Sequence, residues 1–588
     1  MNKYENPALP LEERVSDLLA RMTLAEKAGL MFHTMVAVNP DGTLHEPASA
    51  GGMFPSTKWL VSDKLITHLN ILTLAPVPPQ KIAEWHNRIQ ELAAGNRLGI
   101  PMTISTDPRN GTIDNPAASA AAGGFSAWPE PIGLGASKDP QLVREFADVV
   151  RREYLATGIR VALHPMADLA TEPRWARTSG TLGSDPALVA ELVAAYVKGL
   201  QGDALGPDSV VAMVKHFPGA GPQKDGEDAH FPYGREQVYP GGRWDDHLKP
   251  FEAAFDAGVA QVMPYYGMPV DTEHEEVGFG FNKGIITGLL RERYGFDGVV
   301  CTDWGLITDA DDVMGAPMPA RAWGVEDLDR LTRMQRIIDA GADQFGGEFC
   351  PELVVELVER GRVSEERIDV SARRILRDKF RLGLFDDRRY VDAAATATTV
   401  GTPAFLAAGL EAQRRSVVVL SAENLPLAEG IAAYIDGVDP VVAGRYAKIV
   451  DDPAEADVAI VRRGAAYDNT RGQGFEAFFH AGRLDWTDGE IASLLDLAGK
   501  LPTVVDVMLD RPAVLTRLDS KVAGLVGTFG VSDEAMLDVL FGRAAATGTL
   551  PFELPSSMAE VEASREDVPN DTAHPLYPYG HGLFWPAR

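Results

Sequence analysis

Asp303 closes an apolar run, Gly298-Val299-Val300-Cys301-Thr302. A carboxylate in that place has to face a cavity or a polar partner, because hydrocarbon surroundings penalise its charge. Lys215 and His216 stand in the same way at the end of the apolar run 210–214. Three more runs end in strings that carry chemistry: Thr106-Asp107-Pro108-Arg109-Asn110-Gly111, Glu172-Pro173-Arg174-Trp175-Ala176-Arg177 and Met263-Pro264-Tyr265-Tyr266. Carboxylates and cations together hydrogen-bond hydroxyl groups, while Trp and Tyr cover an apolar ring face, so the set suits a polyhydroxylated ring such as a sugar. The inert alternatives are a helix N-cap for Asp303 and a surface turn for Lys215-His216.

The elements that must position these residues alternate. Between about 98 and 347, short runs rich in Val, Ile and Met (100–106, 160–165, 210–217, 260–266, 298–303, 342–345) are separated by amphipathic stretches such as 185–200 and 282–294. That is the pattern of βα units building a parallel sheet, whose active-site rim lies at the strand C-termini. A first helix is expected near Leu11, and Ser364-Glu365-Glu366 reads as a cap with an acidic first turn. The reading divides the chain into a barrel-like region over 1–388, a small, polar linker over 389–403 and a second α/β region over 404–588. Strands of the second region are expected at 416–420, 458–462, 503–508 and 524–529, with a helix at 533–541.

Composition narrows the class. The 588 residues carry a net charge of −29, which disfavours nucleic acid as a partner. No GxxxxGK[ST] loop, strand-borne GxGxxG, HExxH or CxxC occurs, so neither cofactor nor metal is expected. Asp309, Asp311 and Asp312 read as a solvated acidic loop rather than a cation site. Two cysteines, no run of about 18 apolar residues and no basic-then-apolar N-terminus lead to the expectation of a cytoplasmic protein with no membrane contact. The long inserted loops permit a homodimer without requiring one.

Five strings in order resemble glycoside hydrolase family 3, the β-glucosidase-like retaining glycosidases. They are Glu172 to Arg177 before Ser184-Asp185-Pro186; Lys215-His216-Phe217 with a following glycine; Gly295-Phe296-Asp297-Gly298-Val299-Val300 leading into Thr302-Asp303-Trp304; Leu550-Pro551-Phe552-Glu553-Leu554-Pro555; and Pro575-Leu576-Tyr577-Pro578-Tyr579-Gly580-His581-Gly582-Leu583. The resemblance implies a (β/α)8-like TIM barrel followed by an α/β sandwich that contributes to the cleft. It implies an exo-acting β-glycosidase, first of all a β-glucosidase, taking a small glycoside or oligosaccharide. The alternatives are a β-xylosidase or arabinofuranosidase, an N-acetylglucosaminidase-like enzyme, or a non-catalytic sugar-binding protein.

It further implies Asp303 as the nucleophile. Asp107, Arg177, Lys215 and His216 would hold hydroxyls, Tyr266 would stand near the nucleophile, and Trp304 would wall the adjoining subsite. Either Arg174 or Arg177 could point inward. The acid/base departs from the common pattern: 459–468 offers no glutamate. Glu476 is the expected acid/base, because its apolar flanks suit a carboxyl that begins the cycle protonated. Asp468 is a second choice. Asp228-Ala229-His230 resembles the Asp-x-His dyad of the family's N-acetylglucosaminidase branch, although its loop is longer; otherwise His230 is a substrate contact.

Overall fold

The computed structural model describes residues 2–47, 54–73, 76–112, 122–423, 425–468 and 472–588. Eight strands close into a barrel: β1 Phe32–Ala37, β2 His68–Leu72, β3 Thr103–Thr106, β4 Ile159–Ala162, β5 Val211–Phe217, β6 Gln261–Pro264, β7 Val299–Trp304 and β8 Gln344–Gly346. Each pairs in parallel with its neighbours, and β1 meets β8 at Phe32↔Phe345. Every C-terminal strand end therefore opens on the same rim.

The barrel begins earlier than its apolar runs suggest. β1 and β2 carry His33, Thr34, His68 and Asn70, all buried, so neither is a continuous hydrophobic stretch. Inside the barrel, His33 Nε2 meets Ser105 Oγ at 2.6 Å, and Ser105 Oγ bonds Asn70 Oδ1 at 3.2 Å. Side chains from different strands satisfy one another in a polar layer, which is what makes such an interior tolerable. Below it, Val161, Val211, Met213, Met263 and Cys301 pack on Leu382 and Leu384. Lys379 closes that end by donating to Thr67 O, Pro101 O and Thr103 Oγ1 at 3.2, 2.8 and 2.7 Å.

Ser364 does cap the helix Glu365–Arg381, its Oγ accepting from Arg367 N at 3.2 Å. The segment 389–403 is more structured than a bare linker. It forms helical turns at Ala393–Ala395 and Thr396–Thr399, and Gly401 N donates to the buried Glu153 Oε1 at 2.8 Å. The second region holds a six-stranded sheet, β9 Val418–Ala422, β10 Ala432–Asp436, β11 Lys448–Ile449, β12 Val458–Gly464, β13 Thr503–Met508 and β14 Gly524–Thr528, in the order β9-β14-β13-β12-β10-β11. Within this sheet only the β9–β14 pairing is antiparallel. Apolar clusters cover both faces of this sheet.

The two regions are joined through backbone as well as side chains. Glu130 N donates to Phe529 O at 3.0 Å and Ser184 N to Pro551 O at 2.9 Å. Asp567 receives Gly241 N and Arg243 N, both at 2.7 Å.

Candidate active site

Asp303 lies at the lip of β7 with its side chain 10% exposed. Oδ1 accepts from the adjacent Trp304 N at 2.9 Å, and the buried Oδ2 stands 3.8 Å from His216 Nε2. No helix follows for it to cap: β7 leads through Gly305 into a hairpin, Ala310–Val313 with Ala316–Met318. Tyr266, two residues past β6, accepts from Trp304 N at 3.0 Å. Its phenol is pushed well above the ordinary range by burial and by the negative charge of Asp303.

Residues expected to bind hydroxyls gather at the ends of β3 and β5. Lys215 Nζ donates to Asp107 Oδ1 at 2.9 Å, and Asn70 Nδ2 to Oδ2 at 3.3 Å. Half of the Asp107 side chain stays exposed to the cleft. Desolvation pushes its carboxyl up, but Lys215 and Asn70 outweigh that and hold it below the usual value. His216 Nδ1 bonds Asp168 Oδ2 at 2.7 Å, while Asp168 Oδ1 receives His216 N and Ala220 N at 3.0 and 2.7 Å. Burial, aided by Arg177 and Lys215, drives the His216 imidazole well below its ordinary pKa, so the ring is neutral. With a proton on Nδ1 facing Asp168, Nε2 remains an acceptor for a substrate hydroxyl. Burial pushes Asp168 itself up to about 6.

The Arg-Trp-Ala-Arg string resolves into two roles. Arg174 turns to Glu172, donating through Nε at 2.8 Å and Nη2 at 2.9 Å. Arg177 is buried among the site carboxylates. Burial works against its charge, but Asp228, Tyr265, Asp303 and Asp168 outweigh it.

His230 completes the inner group. Its Nδ1 bonds Asp228 Oδ1 at 2.6 Å, and Trp175 Nε1 donates to Asp228 Oδ2 at 3.0 Å. The imidazole packs 4.6 Å from the Tyr266 ring. From the second region, Phe475 and Phe479 cover it at 5.8 and 5.2 Å. Burial holds its pKa below the ordinary value against the pull of Asp228. Glu476 lies further out, where its carboxylate accepts the Tyr233 hydroxyl. Glu476, Asp468, Glu227, Asp228 and Tyr233 line one cleft at the junction of the two regions.

Each site residue expected from the sequence is thus at the barrel rim or on the second-region loop above it. Asp168, Asn70, Arg321 and Arg511 belong to the same neighbourhood and were not expected. Asp168 could have been found, since it follows the 160–165 run by three residues. Among the described residues no cluster of three His, Cys, Asp or Glu side chains could hold a metal ion.

Comparison with known proteins agrees in fold and in sequence. Residues 45–377 match the glycosyl hydrolase family 3 N terminal domain, and 354–585 match the family's C-terminal domain. The chain is 50% identical over 587 residues to a probable beta-glucosidase C of Aspergillus oryzae, covering 99% of this chain and 91% of that protein. It is 50% identical over 587 residues to the beta-glucosidase C of Emericella nidulans, covering 99% and 93%. A periplasmic beta-glucosidase/beta-xylosidase of Dickeya chrysanthemi is 41% identical over 611 residues, covering 99% and 91%. Among solved structures, a beta-glucosidase from Erythrobacter marinus superposes with a TM-score of 0.78 at 21% identity, covering 99% of this chain and 84% of that one; the likeness shows the shared fold. With both domains matched in order and half the residues shared with full-length relatives, this chain is a glycoside hydrolase and belongs to glycosyl hydrolase family 3.

Proposed function

We propose that the chain is an exo-acting β-glucosidase that releases terminal glucose with retention, through a covalent glycosyl-aspartate on Asp303. The observation that carries this reading is the Asp303 Oδ2 atom, buried, directed toward His216 and neighboured by Tyr266 and Arg177. In the first step Oδ2 attacks the anomeric carbon while the leaving oxygen takes a proton. In the second, water attacks that carbon, the same group accepts its proton, and the aspartyl ester breaks.

The proton carrier is the Asp228–His230 pair. Nδ1 is committed to Asp228, so Nε2 exchanges the proton, and Asp228 stabilises the imidazolium. His230 touches Tyr266, the immediate neighbour of Asp303, whereas Glu476 is engaged with Tyr233 on the outer wall. Glu476 as acid/base is the second reading, supported by its place on the loop that closes the cleft.

Asp303→Ala should lower turnover of 4-nitrophenyl β-glucoside by several orders of magnitude, and a 2-deoxy-2-fluoroglucoside should label Asp303 in the wild type. Wild-type turnover in the variant would remove the assignment. Azide with a good leaving group should rescue His230→Ala and not Glu476→Ala. A nitrophenyl panel of glucoside, xyloside, arabinofuranoside and N-acetylglucosaminide fixes the sugar; the Dickeya relative's double name makes xyloside the closest competitor. For location we propose the cytoplasm, on two buried, unpaired thiols, Cys301 and Cys350; cell fractionation tests it.

A further inference from the structure

The cationic side chains at the barrel rim are not equally occupied. Lys215 holds Asp107 at 2.9 Å, and Arg177 is balanced by Asp228 and Asp303. Arg321 has softer partners. The hairpin over 310–318 returns it to the rim, where its backbone N donates to Gly305 O at 3.0 Å. Its guanidinium stands 5.7 Å from the Tyr266 ring centroid, and Nη2 meets the Met318 sulfur at 2.6 Å. Nε is buried without an acceptor among the described residues. A guanidinium has five N–H donors, and a thioether and a ring face use few of them.

Position tells what the remaining donors face. Asp107, Lys215 and His216 reach the cleft from the β3 and β5 ends. Arg321 covers the β6–β7 lip, over Tyr266 and so close to Gly305 that a Cβ there would fall 2.7 Å from Nη1. Its charge also reaches His230, whose proton affinity it lowers. His230, the proposed proton donor to the leaving oxygen, packs 4.6 Å from the same Tyr266 ring that Arg321 covers, which puts Arg321 beside the leaving group.

We propose that Arg321 is a specificity-determining residue that hydrogen-bonds the hydroxyl oxygens of a saccharide leaving group and so selects a second sugar over a simple alkyl aglycone. This rests on the β-glucosidase reading above. The test compares a β-linked glucose disaccharide with methyl β-glucoside, because both leaving groups are poor alkyl alcohols that must be protonated to depart. Arg321→Ala should lower the ratio of their kcat/KM values tenfold or more, and Arg321→Lys should recover part of the loss. The ratio is independent of the fraction of folded enzyme.

An unchanged ratio overturns the inference. An unchanged ratio with a displaced basic limb for methyl β-glucoside also overturns it, and assigns Arg321 to tuning His230 instead. A wild-type enzyme inactive on every β-glucoside would overturn the β-glucosidase reading and this inference with it, a failure distinct from an unaltered ratio in active variants.

Discussion

Arg511 offers the most exacting test of how the second region is held over the barrel. It is fully buried, and its guanidinium faces five main-chain carbonyls: Nη1 donates to Arg174 O at 2.9 Å and Gly482 O at 3.3 Å, and Nη2 to Ala466 O, Ala481 O and Arg483 O at 3.0, 3.4 and 3.4 Å. Arg174 is on the barrel; the other four belong to the second region, at 466 and 481–483, either side of Phe475, Glu476 and Phe479. Burial pushes the guanidinium down to about 10, partly offset by Asp510 and Glu172, so the group gives back some of what its bonds contribute. Two bonds of 3.0 Å or less, at roughly 1.5–3 kcal/mol each for a charged donor, set the scale of the loss. With the desolvation relieved and the longer contacts adding little, Arg511→Met should destabilise the protein by about 3 kcal/mol. Urea unfolding followed by tryptophan fluorescence reads this as a lower midpoint. Because the loop closes over His230, KM for an aryl glucoside should also rise, by more than kcat falls. A Met variant with the wild-type midpoint and KM would refute the view that this side chain fastens the loop.

Three other perturbations follow from the same network. If His230 is the acid, the basic limb of kcat/KM against pH should lie below 6.5, since burial lowers its proton affinity in the free enzyme, and His230→Asn should abolish that limb. Asp168→Asn leaves one oxygen for three donors that now share a carboxylate, so KM should rise about tenfold through a misplaced His216, seen in steady-state kinetics. Glu153 accepts from Ser126 N, Gly401 N, Asn110 Nδ2 and Ser126 Oγ, and Glu153→Gln should cost about 2–4 kcal/mol by chemical denaturation. Burial raises the Glu153 carboxyl, so the folded state binds that proton more tightly than the unfolded one. Its contribution to stability is greatest below the ordinary glutamate value and declines as pH rises through the folded value, a slope the Gln variant should lack.

What could be read from the sequence followed from chemistry local to one strand end. Asp303, Lys215 and Tyr266 each terminate an apolar run, and burial on a parallel sheet makes such runs continuous and visible. β1 and β2 escaped because their inward residues, His33, His68 and Asn70, belong to a polar barrel layer that breaks the run. Arg177 could not be separated from Arg174 until Glu172 was seen to take the latter. Arg321 was invisible for a different reason: a hairpin stands between it and β7, so nothing in its local pattern ties it to Asp303. The second-region loop posed the same difficulty on a larger scale. Its phenylalanines reach His230, while its glutamate reaches Tyr233, and no spacing along the chain distinguishes those outcomes.

On the proposed assignment, the charges around Asp303 also explain how one imidazole serves both halves of the cycle. Arg177 lies among Asp303, Asp228 and Asp168, and its positive charge is shared between them. Before reaction the Asp303 carboxylate offsets Arg177, one of the two cations that disfavour a proton on His230. Once the carboxylate is consumed as an ester, that negative charge is gone, while Arg177 and Arg321 remain beside the ring. The imidazolium is then harder to keep, and the neutral form, which must take a proton from water, is favoured when it is required. Hydrolysis of the ester restores the carboxylate and with it the tendency of His230 to hold a proton. The alternation from acid to base thus follows from the change in charge on the nucleophile, with Asp228 fixing the ring and its Nδ1 proton throughout.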